Sequence, residues 1–366
     1  MNWSGSRVLV TGHTGFKGSW LSLWLQQKNA DLCGIALEPP FAASLFRDAK
    51  VANGMRSVLG DIRDFTLLKQ IFLEHQPEIV FHLAAQPLVR SSYEDPLGTY
   101  STNVMGTANL LEATRHTESV RAVIVITTDK CYENREWPWP YRETDQLGGY
   151  DPYSNSKACA ELVVSAYRCS FFNPAEYSRH GVAIASVRAG NVIGGGDWAE
   201  DRLVPDIIRA FLEKRPVVIR NPKAIRPWQH VLESLRGYIR VAESLCEDGT
   251  ATGEAWNFGP ELSDTHSVEW IVQELAKAWD ESVRWKLAGA GQPHEAQNLT
   301  LDWSKAQSRL GWRPVLRLKD ALKMTAEWYK VKLDNSDMHE FTNAQISSYE
   351  EHCRRERQSE SSGVKA

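Results

Sequence analysis

Cysteine is scarce in this chain of 366 residues, and none of the six (Cys33, Cys131, Cys159, Cys169, Cys246, Cys353) stands in a C-x-x-C pair or at metal-ligand spacing with a histidine. A disulfide scaffold and a bound metal are therefore not expected, and the thiols read as reduced side chains of a cytoplasmic protein. Long apolar runs are also missing, so no segment reaches the length of a membrane span. No sign of charge dominates: 42 basic and 46 acidic residues are mixed along most of the chain, net −4, which argues against a nucleic-acid-binding face. Met1 to Ser6 show no charged region leading into an apolar one, and no internal repeat is found. What remains is a chain long enough for one large α/β domain and a smaller one.

The first informative stretch is a strand, a glycine turn and a helix. Strand-like Arg7–Val10 leads into Thr11-Gly12-His13-Thr14-Gly15-Phe16-Lys17-Gly18, and residues from Ser19 onward have helical apolar spacing. Gly12 permits the turn, Gly15 admits a pyrophosphate to the helix N-terminus, and Gly18 lets helix and strand pack closely, with Thr14 and Phe16 in the same loop. The spacing is G-x-x-G-x-x-G rather than G-x-G-x-x-G. A second strand, 32–37, ends at Glu38, about twenty residues on, where a carboxylate either accepts from ribose hydroxyls or is a solvated surface group. Asp61 and Ile62 follow a third strand and are candidates for the adenine; Asp64 reads as a helix N-cap. The buried strand Ile79–His82 ends in Leu83, Ala84 and Ala85, small enough to admit a cofactor, and His82 reads as a satisfied core histidine.

A helix is expected over 98–116, carrying Asn103 as a candidate cofactor contact, and the run Ala122–Ile126 should be the central strand of the sheet. Thr127, Thr128, Asp129 and Lys130 stand at its carboxyl end, where open parallel sheets bind ligands. The next helix carries Tyr153 and Lys157, one turn apart on one face. A nearby ammonium stabilises a phenolate, and the sequence predicts that Lys157 draws the phenol toward a neutral working pKa.

Strand, threonine cluster and Y-x-x-x-K helix, in that order, resemble the extended short-chain dehydrogenase/reductases. Thr11–Trp20, His82–Val89, Thr127–Tyr132, Ser154–Lys157, Gly190–Trp198 and Arg226–Val231 resemble the CDP-glucose 4,6-dehydratase branch of that nucleotide-sugar family. The resemblance implies a Rossmann-type doubly wound parallel sheet with NAD over residues 1–188, segments returning near 228–260, and a smaller interleaved substrate domain over 189–332. A polar, solvated helix or tail is expected over 333–366. The resemblance further implies Tyr153 as base with Thr128 and Lys157, Asp129 as candidate acid and Lys130 as candidate base. It places Gln86, Thr128, Asn191, Arg202, Arg220, Arg226 and His230 on a CDP-glucose substrate, with Gly194–Gly196 as a mobile flap or a plain loop. It also implies a homodimer or a dimer of dimers, paired through the helices at 98–116 and 152–173. A nucleotide-sugar 4-epimerase, a dehydratase of another nucleotide sugar and a non-catalytic NAD-binding scaffold remain alternatives.

Overall fold

Short apolar strands alternating with helices build a parallel sheet, because each right-handed crossover returns the chain in the same direction. Seven strands do so here: β1 (Arg7–Thr11), β2 (Asp31–Ala36), β3 (Arg56–Leu59), β4 (Ile79–His82), β5 (Ala122–Ile126), β6 (Ala183–Ala189) and β7 (Ala255–Phe258). Their spatial order is β7-β6-β5-β4-β1-β2-β3, and every neighbouring pair is parallel. Strand order reverses between β1 and β4, which opens a crevice at their carboxyl ends. The computed structural model describes residues 1–279, 284–289 and 298–363.

Burial on both faces explains why β5 is apolar at every position: all five of its residues are buried. Helix α1 (Phe16–Gln27) follows the glycine turn, and α2 (Gly106–Arg115) and α3 (Pro152–Ser170) pack together on one face of the sheet. The expected helix over 98–116 is interrupted by a π turn at Ser101–Met105. On the other face α4 (Val231–Glu247) lies over β5 and β6. The carboxyl-terminal half adds three two-stranded pairs: Val192–Ile193 with Gln229–His230, Ile225–Arg226 with His266–Ser267, and Val217–Ile219 with Trp285–Leu287. The sequence also reads as a strand over 282–287 and a loop over Gly291–His294; Ser282, Val283 and that loop lie outside the described residues.

The expectation of a solvated tail is corrected. After α5 (Leu318–Leu333), residues Met338–Gly363 form a long helix, α6, docked on the core. Met338, Thr342, Ile346, Tyr349 and Cys353 are buried at three- and four-residue spacing, a helical stripe hidden among charged neighbours. Polar contacts fasten it: Trp24 Nε1 and Lys28 Nζ donate to Glu350 at 2.7 and 2.6 Å, and Arg236 Nε donates to the Tyr349 hydroxyl at 2.9 Å. Ile346→Ala is accordingly expected to cost about 2–4 kcal/mol in urea unfolding, where a solvated position would cost less than about 0.5 kcal/mol.

Candidate active site

The crevice is a continuous cleft of about 1220 Å³. At one end the glycine turn forms a cradle. Gly12 has a φ of +76°, and a Cβ there would stand 2.7 Å from the Ala84 nitrogen. A Cβ on Gly18 would overlap the Gly12 carbonyl oxygen. The N-terminus of α1 has no side-chain cap, so its first N–H groups face the cleft, the arrangement that binds a phosphate diester anion. Gly18→Ala is expected to lower stability by about 2–3 kcal/mol and to release bound dinucleotide, measured by thermal melting and by cofactor retained on gel filtration.

Thr14, Phe16, Glu38, Asp61, Ile62, Leu83, Ala84, Ala85 and Thr127 all line this end. Thr14 Oγ1 donates to the Leu37 carbonyl at 2.8 Å, which ties the glycine loop to the end of β2. Glu38 is paired with Arg47 at 3.3 Å and Asp61 with Arg63 at 2.5 Å, so both carboxylates on the wall already hold a cation. Arg63 keeps Asp61 below the usual carboxylate range. Asp64 caps the helix Phe65–His75 by accepting from Leu67 N at 3.0 Å. His82 is buried between the hydroxyls of Thr11 (2.8 Å) and Thr107 (3.1 Å), and burial holds its pKa down to about 3.

Two expected ligand contacts are corrected. Asn103 is buried in the π turn with its amide committed, accepting from Gln86 N at 2.8 Å and donating to Gln86 O at 3.0 Å and Ser156 Oγ at 2.8 Å. The Gln86 side chain donates to Thr99 Oγ1 at 2.9 Å and accepts from Leu88 N at 2.5 Å. Neither lines the cleft; together they pin the loop after β4 to α3.

The carboxyl end of β5 and the start of α3 meet at the centre of the cleft. Asp151 caps α3, accepting from Ser154 N at 2.9 Å, which sets Tyr153 and Lys157 on the inward face. Lys157 Nζ donates to the Ile126 carbonyl at 3.1 Å, and the Thr128 hydroxyl reaches the Tyr153 phenol. Thr128 Oγ1 also donates to Asp129 Oδ1 at 2.9 Å. Asp129 Oδ2 is buried on the cleft wall with no hydrogen-bond partner among the described residues. Burial raises the Asp129 pKa against the pull of Lys130, Thr128, Arg226 and Lys17. Burial likewise lowers Lys157 to about 8 and pushes Tyr153 up to about 12, the latter against the Thr128 hydrogen bond. Burial is the largest influence on the Tyr153 phenol, with the Thr128 hydrogen bond pulling the other way, while one N–H of Lys157 is engaged by the Ile126 carbonyl.

The family model described as GDP-mannose 4,6 dehydratase matches residues 9–325. The chain belongs to that family. A CDP-glucose 4,6-dehydratase of Salmonella typhimurium is 56% identical over 347 residues, 95% of this chain and 97% of that one. A dTDP-glucose 4,6-dehydratase double mutant of Streptomyces venezuelae, solved with NAD bound, superposes with a TM-score of 0.73 at 25% identity, covering 88% of this chain and 97% of that one. A UDP-glucose 4-epimerase of Thermotoga maritima has the same fold (TM-score 0.75, 24% identity, 89% and 99% covered).

On the substrate side, this GDP-mannose 4,6 dehydratase family member places Asn191, Arg202, Arg220 and Arg226 on the wall of the same cleft. Arg202 is paired with buried Asp197 at 2.9 Å, and Arg220 donates to the Asp201 carbonyl at 3.1 Å. His230 is corrected: it is fully buried beneath the cleft, accepts from Leu232 N at 3.3 Å as the cap of α4, and packs edge-on against Trp20. Gly194–Gly196 is also not a flap. Trp20 Nε1 donates to the Gly195 carbonyl at 3.0 Å, and the Tyr329 hydroxyl to the Asp197 carbonyl at 2.5 Å. The Trp328 side chain occupies the space a Gly195 side chain would need. Glycine serves close packing here rather than motion.

Sequence reasoning passed over Lys17 and Asp197. Lys17 lies inside the glycine motif, lines the cleft, and is lowered to about 7 by burial and then by Arg202. The signal available was a lysine where that loop otherwise carries apolar or small residues. Asp197 offered none, because its partner Arg202 is identified only by the fold.

Proposed function

We propose that the protein is an NAD-dependent CDP-glucose 4,6-dehydratase, a hydro-lyase that yields CDP-4-keto-6-deoxyglucose. The observation that carries this reading is the unpartnered oxygen of buried Asp129 beside Thr128, Tyr153 and Lys157. A 4-epimerase needs the last three and has no use for such an acid. The 56% identity to a CDP-glucose 4,6-dehydratase supports the nucleotide. Gly12, Gly15 and Gly18 would hold NAD, which would supply hydride acceptance at C4 and hydride return at C6 with no net reduction.

The remaining chemistry falls to side chains. Tyr153 removes the C4 hydroxyl proton while Thr128 bonds the same oxygen. The resulting ketone acidifies C5–H. Lys130, on the same wall, is assigned to take that proton, which it can do only as the free amine. The C6–O bond then breaks with the electron pair on oxygen, and Asp129 supplies the proton that makes it water. Burial, which shifts Asp129 toward its protonated form, suits it to this step. Asn191, Arg202, Arg220 and Arg226 are assigned to the diphosphate, guanidinium matching phosphate oxygens two at a time.

The test is incubation with CDP-, dTDP-, UDP- and GDP-linked glucose in deuterated water. A 4-keto-6-deoxy product from the CDP sugar alone, with solvent deuterium at C5 and no net reduced cofactor, is expected. A C4 epimer without C5 exchange would overturn the reading. The helix Pro96–Tyr100 exposes Leu97, α3 exposes Leu162 with Phe171 just past its end, and the π turn exposes Met105. We assign this face to pairing with a second copy, to be checked by sedimentation. No described helix is long and apolar enough to cross a membrane.

A further inference from the structure

One turn beyond Lys157 on the same face of α3 stands Glu161, which neither touches the cleft nor enters the chemistry above. It is one of the most heavily bonded carboxylates in the molecule. Thr127 Oγ1 donates to its Oε1 at 2.5 Å and Ser186 Oγ to its Oε2 at 2.6 Å. Arg188 Nε and Nη2 grip both oxygens at 2.9 and 2.8 Å. The side chains of Glu161 and Arg188 are only 3% and 4% exposed. Three elements therefore converge on one carboxylate: α3, the end of β5 and the middle of β6. The far side of Arg188 reaches a fourth, donating from Nη1 to the Tyr132 hydroxyl at 2.8 Å and the Glu143 carbonyl at 3.2 Å. Tyr132 in turn donates to Asn257 Oδ1 on β7 at 2.7 Å. The segment from Glu133 to Gly149 walls the sugar end of the cleft through Glu133, Asn134, Glu136 and Gln146.

A buried ion pair is a poor source of net stability, since two desolvation costs offset its attraction, and an apolar pair of similar volume often serves as well. This one sits where its charges matter. Lys157 donates to Ile126 O, and the next residue, Thr127, donates to Glu161, so ammonium and carboxylate are linked through a single peptide. We infer that the Glu161–Arg188 pair is a positioning device that holds α3 in register with the Thr127–Lys130 strand end and balances the electrostatic field in which Tyr153 and Lys157 ionise.

Other groups face this spot and are accounted for. Lys157 is faced by Tyr153 and Glu161 of its own helix, Lys17 of α1, His82 of β4 and Cys131 after β5. His82 and Cys131 are held neutral by burial, whereas Lys17 titrates near 7. Arg168 of α3 faces Glu161 and Arg188 from beyond, and Tyr132 and Glu143 face Arg188. Among these, Glu161 and Arg188 are opposite fixed charges in direct contact, so deleting either one unbalances the other.

This inference rests on the dehydratase reading only for its turnover measurement. The experiment uses NAD-loaded protein as Glu161→Gln, Arg188→Met and the double variant. Lys157 is titrated by ¹³C NMR of lysine-labelled protein, its resonance identified by its loss in Lys157→Met, and the pH profile of kcat is recorded in parallel. Glu161→Gln leaves Arg188 unbalanced, so both the Lys157 midpoint and the acid limb of kcat should move down by about one pH unit. Arg188→Met should move both up by a similar amount, and the double variant should return near the parent. A pair that only holds the fold would lower the melting temperature and leave both midpoints in place, or shift them the same way in both single variants; either result overturns the inference. Failure of the unaltered protein to dehydrate CDP-glucose would instead overturn the functional reading, leaving the NMR titration as an independent test.

Discussion

Tyr153→Phe is expected to lower kcat by roughly 10³–10⁴-fold, the size of effect carried by a positioned proton acceptor. The substitution removes one oxygen and keeps the ring, and Tyr153 is nearly buried, so the fold and the glycine cradle should be unaffected. Loss should fall on kcat rather than KM, because the phenol acts on a proton that moves only in the transition state. The structure sharpens the prediction. A phenol pushed up to about 12 by burial is a weak base while protonated, and the rate should climb as pH rises toward its ionisation in the loaded site. In Tyr153→Phe that climb should be absent. Turnover within tenfold of the parent, with bound NAD unchanged, would remove Tyr153 from the mechanism.

Asp129→Asn should separate the two halves of the reaction. Oxidation at C4 needs Tyr153, Thr128 and Lys157 and should survive, whereas loss of the C6 oxygen as water should slow by roughly 10²–10³-fold. Reduced nicotinamide and a 4-keto sugar that still has its C6 oxygen should therefore accumulate in a single turnover, visible by absorbance and by mass. The pH dependence has a definite sign. Asp129 acts as an acid only while protonated, so in the parent the dehydration step, followed apart from C4 oxidation in a single turnover, should slow as pH rises through its raised pKa, and the variant should lose that limb. Stability should move the other way. A carboxyl whose pKa rises on folding binds its proton more tightly in the native state, so it is harmless at low pH and costs stability as pH rises above the ordinary carboxylate range. The neutral amide avoids that cost, and Asp129→Asn should melt at a higher temperature than the parent near neutral pH. Full dehydration by the variant would place the acid elsewhere in the cleft.

The glycine turn, the central strand and the Tyr153 helix were legible because each depends on neighbours in sequence. Gly12 and Gly18 are dictated by a turn within six residues, the apolar run of β5 by burial on both faces, and the inward set of Tyr153 and Lys157 by helical spacing. Properties that arise between distant residues were not legible. Nothing near Asn103 shows that its amide is consumed by Gln86 and Ser156, and nothing near His230 shows that Trp20 covers it. The desolvation of Tyr153 was not legible either, because helical spacing places the ammonium but says nothing of burial. The buried stripe of α6 was hidden because mostly polar residues fill the intervals between Met338, Ile346, Tyr349 and Cys353, and composition averages the two faces together.

The clasp on Gly195 and Asp197 comes from Trp328 and Tyr329, and α6 closes over α1 only beyond Met338. Both follow every strand of the seven-stranded sheet in the sequence, and domains fold as the chain is made from its N-terminal side. All seven strands are translated by Phe258, so the sheet can assemble while one wall of the cleft still lacks its fastener. Completion of the active site is thereby tied to residues beyond the sheet, and a message broken between the codons for Phe258 and Trp328 would encode a sheet-containing product with the Arg202–Asp197 loop unclasped.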